Sequence, residues 1–376
     1  MQPKAARNIS IEALRLVAVA GIAVFHTFQW TFQAACTGMP EYASLVAFPY
    51  SGVLGFINLL GCWANEVFFM ISGYFLIASA ARAWNEGATW ASQMQRTVQR
   101  LDKVVLPTVF YCLAALAWST VISPIPDVSL ATHYWYTLGL EFIWVYAATV
   151  CMAPLFGLAK NQLSKRSYTA VVIIIGILAF VANGYLAATS SANGSEFSWL
   201  QKIMSAATYV VAFLVGGLLR DVTDATDSNS ACSLGKRSLI AILTIAIILE
   251  GTLSFTGNLA AMATLSYKST SLISFVLAAA SLLFAATRHG TSSNPRVAGV
   301  IVTLSAATLG FYVMQSLTSS LWRPIFNAML ANILVAQSNP ASICIATGTA
   351  ISIVFALVLL VVDAVRSQVV HSLKQR

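Results

Sequence analysis

The chain has 376 residues, 58% of them hydrophobic and only 9% charged, with a formal charge of +8. A soluble domain carries about 25% charged residues, so an ordinary soluble globule is excluded. Continuous apolar runs of about 20 residues point to membrane helices and not to a β-barrel. The positive charge does not indicate nucleic acid, because the basic residues are spread among short loops and form no single patch.

In chain order, the hydropathy pattern predicts ten spans, at about 11–32, 58–81, 104–122, 134–157, 168–188, 200–219, 238–256, 270–287, 297–320 and 341–363. The first is long and contains Arg15, and so reads as a retained helix and not as a cleaved signal peptide. Gln33–Cys36 (QAAC) faintly resembles a lipoprotein cleavage box, but cleavage there would discard Arg15 and His26. Residues 43–62 are apolar but are interrupted by Pro49, Gly52, Gly55 and Gly61, and are expected to form an external loop with a partly buried or re-entrant helix. Residues 82–103 carry Trp90, Met94, Val98 and Leu101 at helical spacing, with Arg96, Arg100 and Lys103 elsewhere on the wheel. This pattern predicts an amphipathic helix lying in the cytoplasmic interface. Pro107 follows near the start of the third span, where a missing amide costs least. The segments 189–199 and 221–235 are polar and read as exposed loops, the second of them flexible.

Charge checks the count. With the N-terminus inside, 17 Lys and Arg residues fall in inner segments and three (Lys202, Lys268 and Arg323) in outer ones. The asymmetry follows the positive-inside rule and predicts an all-α polytopic bundle with both termini cytoplasmic. The whole of 1–376 reads as one membrane domain with no appended soluble domain. Trp30, Trp63, Trp84, Trp135, Trp199 and Trp322 lie near proposed boundaries, as interfacial aromatics do. The six cysteines show no CxxC spacing, so no metal site is expected; Cys36 and Cys62 could pair if both lie outside the membrane.

Arg15 and His26 are separated by eleven steps within one helix. At about 100° per residue they return to nearly the same azimuth, roughly 16 Å apart along the axis. Such groups are costly in a membrane unless they face protein or a wet cavity. His26 is a candidate proton acceptor near neutrality, with a plain core histidine as the alternative. Arg15 either snorkels beside Glu12 at i−3 or holds a phosphate or carbonyl. Glu66, at the outer end of the second span, could orient the imidazole as the acid of a catalytic triad does, or be a solvated interfacial acid. Arg96 and Arg100, one turn apart, would suit a phosphorylated cytoplasmic donor, or serve as plain membrane anchors. Glu141 and Glu250 are further acids expected to cap or pair buried polar groups.

Several segments resemble the integral membrane acyltransferase 3 family: Glu12-x-Leu14-Arg15, Arg15-x10-His26, NEVFFMISGYFL from Asn65 to Leu76, and the Arg-rich segment from Gln95 to Pro107. Thr132–Phe142 with Tyr146 and Pro154, and LSAATLGFYVMQ from Leu304 to Gln315, resemble two later family motifs. The resemblance implies ten helices, cytoplasmic termini, and transfer of an acyl group, usually acetyl from acetyl-CoA, to a hydroxyl of a cell-envelope glycan or lipid-linked saccharide. It implies a catalytic His26, and Arg15 binding or polarising the donor. It also implies a tunnel shaped by Phe68, Phe69, Ser72 and Gly73, with CoA phosphates met by Arg96, Arg100 and Lys103. It implies no permanently bound cofactor, with acyl-CoA as donor substrate, and a multi-pass protein of a bacterial plasma membrane in contact with lipid and with glycan-assembly proteins. The chain departs from the family at Gln315, where many relatives have His, so no proton transfer is assigned there. A proton-coupled transporter or glycan flippase would also bury Arg, His and Glu, and an inactive membrane scaffold is a third alternative.

Overall fold

The structure is a computed structural model that describes residues 8–126, 128–131, 140–193, 198–266, 271–288, 294–336 and 339–374. Its elements are α1 (Ile9–Cys36), a 3-10 turn at Pro40–Tyr42, α2 (Ala43–Val46), α3 (Tyr50–Asn85), α4 (Trp90–Val121), α5 (Glu141–Gln162), α6 (Lys165–Asn193), α7 (Ser198–Ala225), α8 (Ser228–Phe255), α9 (Leu259–Leu265), α10 (Leu272–Thr287), α11 (Pro295–Ala306), α12 (Thr308–Leu317), α13 (Ser319–Ala336) and α14 (Pro340–Lys374). Among the described residues there is no strand. The protein is a polytopic all-α membrane bundle. Eight helices are long and apolar enough to cross a membrane, and α11 with α12 makes a ninth if the pair, bent by 44°, is one span. The remaining predicted span corresponds to α10, an apolar helix of 16 residues.

The first helix begins where its sequence provides a cap. The Asn8 side chain accepts from the amides of Ser10 and Ile11. Its amide nitrogen donates to the Ala286 carbonyl at 3.2 Å, which ties the start of α1 to the end of α10. The centre of the bundle is α3, which packs on α1, α5, α7, α8 and α10.

Three predicted boundaries are corrected. Residues 50–62 are not an external loop: α3 is continuous from Tyr50. Gly52 and Gly55 act there as contact points and not as breakers. A Cβ on Gly52 would press on the Glu250 carbonyl, and one on Gly55 would meet the Glu250 carboxylate and Met262. Small residues at a helix crossing let membrane helices approach closely. Residues 82–103 are not a separate interfacial helix. They comprise the end of α3, a turn through Gly87 and the first turns of α4, which runs through Pro107 to Val121. Their apolar face, Trp90, Met94 and Val98, is exposed on the outside of the bundle, while Gln93 and Thr97 are buried against it. The Gln93 amide donates to the Ala80 carbonyl at 3.2 Å. Residues 221–235 are not a flexible loop either, because α7 and α8 extend to within two residues of each other.

The predicted span 297–320 is broken after Ala306, and α13 follows in a stretch read as loop. Trp322 of α13 is not an interfacial aromatic. It is buried, and its indole N–H donates to the Gln315 carbonyl at 3.0 Å. Cys36 and Cys62 form no disulfide. Glu250 behaves as expected of a buried acid, accepting from the Ser266 hydroxyl at 2.8 Å, whereas Glu141 is exposed in the first turn of α5. Residues 132–139, most of the fourth resembling segment, lie outside the described residues.

Candidate active site

Glu12, Arg15, Val19 and Ile22 form one stripe of α1 and line a cavity of about 520 Å³. The spacing is three and four residues, as one helix face requires. The other walls are α3 (Phe68, Ser72), α4 (Arg100, Lys103), α5 (Phe142, Tyr146) and the α11–α12 break (Ser305, Thr308, Tyr312). That volume lies within the range of small-molecule sites. Every segment of the family resemblance that the structure describes therefore contributes to one cavity.

Inside it, Arg15 Nη1 lies 2.9 Å from Glu12 Oε2. The same carboxylate oxygen accepts from the Ser305 hydroxyl at 2.6 Å. Glu12 is buried, and two partners balance its desolvation. Arg15 is thus held at the wall and not extended to a lipid headgroup. Ser72 Oγ bonds the Phe68 carbonyl at 2.9 Å and meets the Tyr146 hydroxyl at 3.0 Å. Arg100 is half-buried, its Nη2 3.2 Å from Ser79 Oγ. Its Nη1 is buried with no hydrogen-bond partner among the described residues. Lys103 is exposed, so the cavity meets the surface at the basic segment of α4.

Not every expected wall residue is there. Phe69 is fully buried away from the cavity, stacked on Tyr209 with centroids 4.8 Å apart and edge-on to Phe142 and Tyr146. Gly73 faces α7, where a Cβ would fall onto the Phe213 carbonyl; Gly216 faces the Met70 carbonyl in the same crossing. Arg96 is exposed and does not line the cavity. Phe69 and Gly73 therefore build the frame that supports Phe68 and Ser72.

His26 continues the α1 stripe one turn beyond Ile22, as the eleven-residue spacing requires, but the cavity lining stops short of it. Among the described residues the cavity does not extend to His26, whereas a tunnel joining Arg15 to His26 was expected. Tyr312 and Phe142 line the cavity with ring centroids 4.7 Å apart. Arg323 Nη2 stands 3.2 Å from His26 Nδ1, and Tyr312 lies within electrostatic reach of Arg323. Arg323 comes from α13, the helix that hydropathy alone misses. Glu66 does not orient His26 in this arrangement. Its carboxylate is buried, and neither oxygen has a hydrogen-bond partner among the described residues. Arg323 meets the imidazole, and the Phe25 ring lies beside it with centroids 5.0 Å apart. Gln315 is buried, with its side-chain nitrogen unpartnered among the described residues. No group of three or more metal-ligating side chains occurs among the described residues.

The site is thus a membrane-embedded helical cavity with Arg100 and Lys103 toward the surface and Arg15 in its wall, and His26 lies one turn of α1 past its lining. The chain matches the acyltransferase domain family, acyltransferase 3, over residues 8–359 and belongs to it. It is an acyltransferase acting on groups other than aminoacyl groups. Comparison with curated proteins and with solved structures gave no match.

Proposed function

We propose that the protein takes an acyl group, acetyl in the simplest case, from cytoplasmic acyl-CoA and delivers it to a hydroxyl of a cell-envelope glycan or lipid-linked saccharide at a bacterial plasma membrane. The observation that supports this most is the cavity, which begins at cationic side chains and ends one turn from a histidine. The donor's phosphates meet Arg100 and Lys103, with Arg96 further out on the same helix. The unpartnered Nη1 of Arg100 gives one charge-assisted bond that no described residue satisfies. The thioester arm runs along Phe68, Ser72 and Arg15. Movement of the Phe142 and Tyr312 rings in the cavity wall admits the acyl end to His26.

There the acceptor hydroxyl attacks the thioester carbonyl as His26 takes its proton, and the same proton then goes to the leaving thiolate. Transfer through an acylated His26 uses the same residues. The deciding experiment compares O-acyl groups on envelope glycans from cells with the gene, without it, and with a His26→Ala version expressed at the same membrane level. Loss of one class of O-acyl ester in the second and third samples is the expected result. Unchanged esters in both would rule the reading out, and substrate movement without acyl-CoA consumption would replace it with a transporter.

A further inference from the structure

Arg323 is a cation in an enclosed setting with no carboxylate among the described residues to balance it. No ion pair to it occurs among the described residues, and its Nε is buried without a hydrogen-bond partner there. Its guanidinium lies 5.5 Å from the centre of the Trp322 ring, a contact that holds it over an aromatic face without neutralising it. A guanidinium with spare donors beside a histidine is suited to bind developing negative charge.

The contact with His26 adds a second constraint. Arginine has donors and no acceptor, so at 3.2 Å the imidazole Nδ1 must be presenting its lone pair. The neutral ring then carries its proton on Nε2. In this state the Nδ1 lone pair is occupied.

We propose that Arg323 is a catalytic residue: it donates to the thioester carbonyl oxygen and, by moving there, releases Nδ1 of His26 to act as the base. This inference rests on the acyl-transfer reading of His26 given above. As the carbonyl arrives, an Arg323 N–H leaves Nδ1 for the carbonyl oxygen. The acceptor oxygen forms a bond to the carbonyl carbon, and its proton passes to Nδ1. The tetrahedral oxyanion is held by the guanidinium. Collapse of that intermediate breaks the carbon–sulfur bond, and the departing CoA sulfur takes the proton from Nδ1. An ester and a free thiol result, with His26 neutral again and Arg323 able to return. The base is thereby unmasked only when a carbonyl is bound.

The test uses purified protein in lipid nanodiscs, acetyl-CoA as donor and envelope glycan from cells lacking the gene as acceptor. Arg323→Ala should lower kcat by about 10²–10³-fold, the usual effect of losing an oxyanion donor. The KM for acetyl-CoA should stay within about twofold, because the bond to the carbonyl oxygen replaces the one given up at Nδ1 and gains strength only as the oxyanion forms. Added guanidinium ion should restore part of the rate, which a purely structural role would not allow. A kcat close to that of the unmodified enzyme, or a loss that guanidinium leaves unchanged, overturns the proposal. If Arg323→Ala does not fold, Arg323→Lys carries the test. It keeps a charge and stem but loses the planar fork, so kcat should fall at least about tenfold; an unchanged kcat overturns the assignment. His26→Ala is run alongside. Full transfer by that variant removes the acyl-transfer reading itself, whereas an inactive His26→Ala beside a normal Arg323→Ala removes only the role of Arg323.

Discussion

The two arginines that flank the path along α1 are in opposite electrostatic states. Arg15, at the cavity wall, is neutralised by Glu12, which is itself fixed by Ser305. Arg323 has an imidazole for a neighbour and no described carboxylate. Forming charge in a buried site is favoured where a fixed opposite charge is already present and uncompensated. A paired arginine offers less, since a new anion must compete with the carboxylate it already has. On the proposed reading, the difference separates a region that guides the donor from one that meets the reacting carbonyl, although both carry the same side chain.

That division can be broken by graded substitutions. The largest effect is expected at the chemical end: His26→Ala should lower transfer by about 10²–10⁴-fold, the usual contribution of a general base, while the protein remains folded by size-exclusion and thermal unfolding in detergent. Arg323 variants come next, as set out above. Arg15→Lys retains charge but loses the forked geometry. A loss of about 10–100-fold in kcat/KM for acetyl-CoA is expected, the scale of a charged hydrogen bond; a value near wild type would return Arg15 to the role of a snorkelling anchor. Arg100→Gln should raise the KM for acetyl-CoA by about tenfold with kcat unchanged, as loss of uniform binding does. A fall in kcat instead would place chemistry at the inner region and dissolve the contrast. Arg96→Gln should alter that KM by less than about twofold, because an exposed charge contributes little; a larger change would extend the donor contact along α4.

Much of this could be read from the residues, and the failures have physical causes. The shared azimuth of Arg15 and His26 followed from helix geometry alone; α1 is one unbroken helix through both, and Glu12, Arg15, Val19 and Ile22 line the cavity while His26 does not. Of the four residues expected to shape a tunnel, Phe68 and Ser72, one turn apart, line the cavity, and Phe69 and Gly73, each about 100° further round the helix, do not. Gly52 and Gly55 looked like breakers because glycine weakens isolated helices; packing against Glu250 and Met262 overrides that preference. The missed element was α13. Arg323 and Pro324 interrupt its apolar run, yet Trp322, Phe326, Leu330 and Leu334 recur at four-residue spacing, and Trp322, Leu330 and Leu334 are buried. That periodicity was the available signal for the helix that delivers Arg323. The bend between α11 and α12 had none, since no glycine or proline lies at Ala306–Ala307.

At the crossing of α3 and α7, Gly73 meets one main chain and Gly216 the other, leaving no side chain between the two rods. Contact this intimate acts as a rivet: sliding or tilting there would drive main-chain atoms into each other. Alternating exposure of a substrate to the two sides of a membrane needs large rigid halves that swing about a central site. A pinned centre leaves motion to elements away from that crossing, such as the broken α11–α12 pair. On the acyl-transfer reading proposed above, a small chemical group is handed on while the frame stays still.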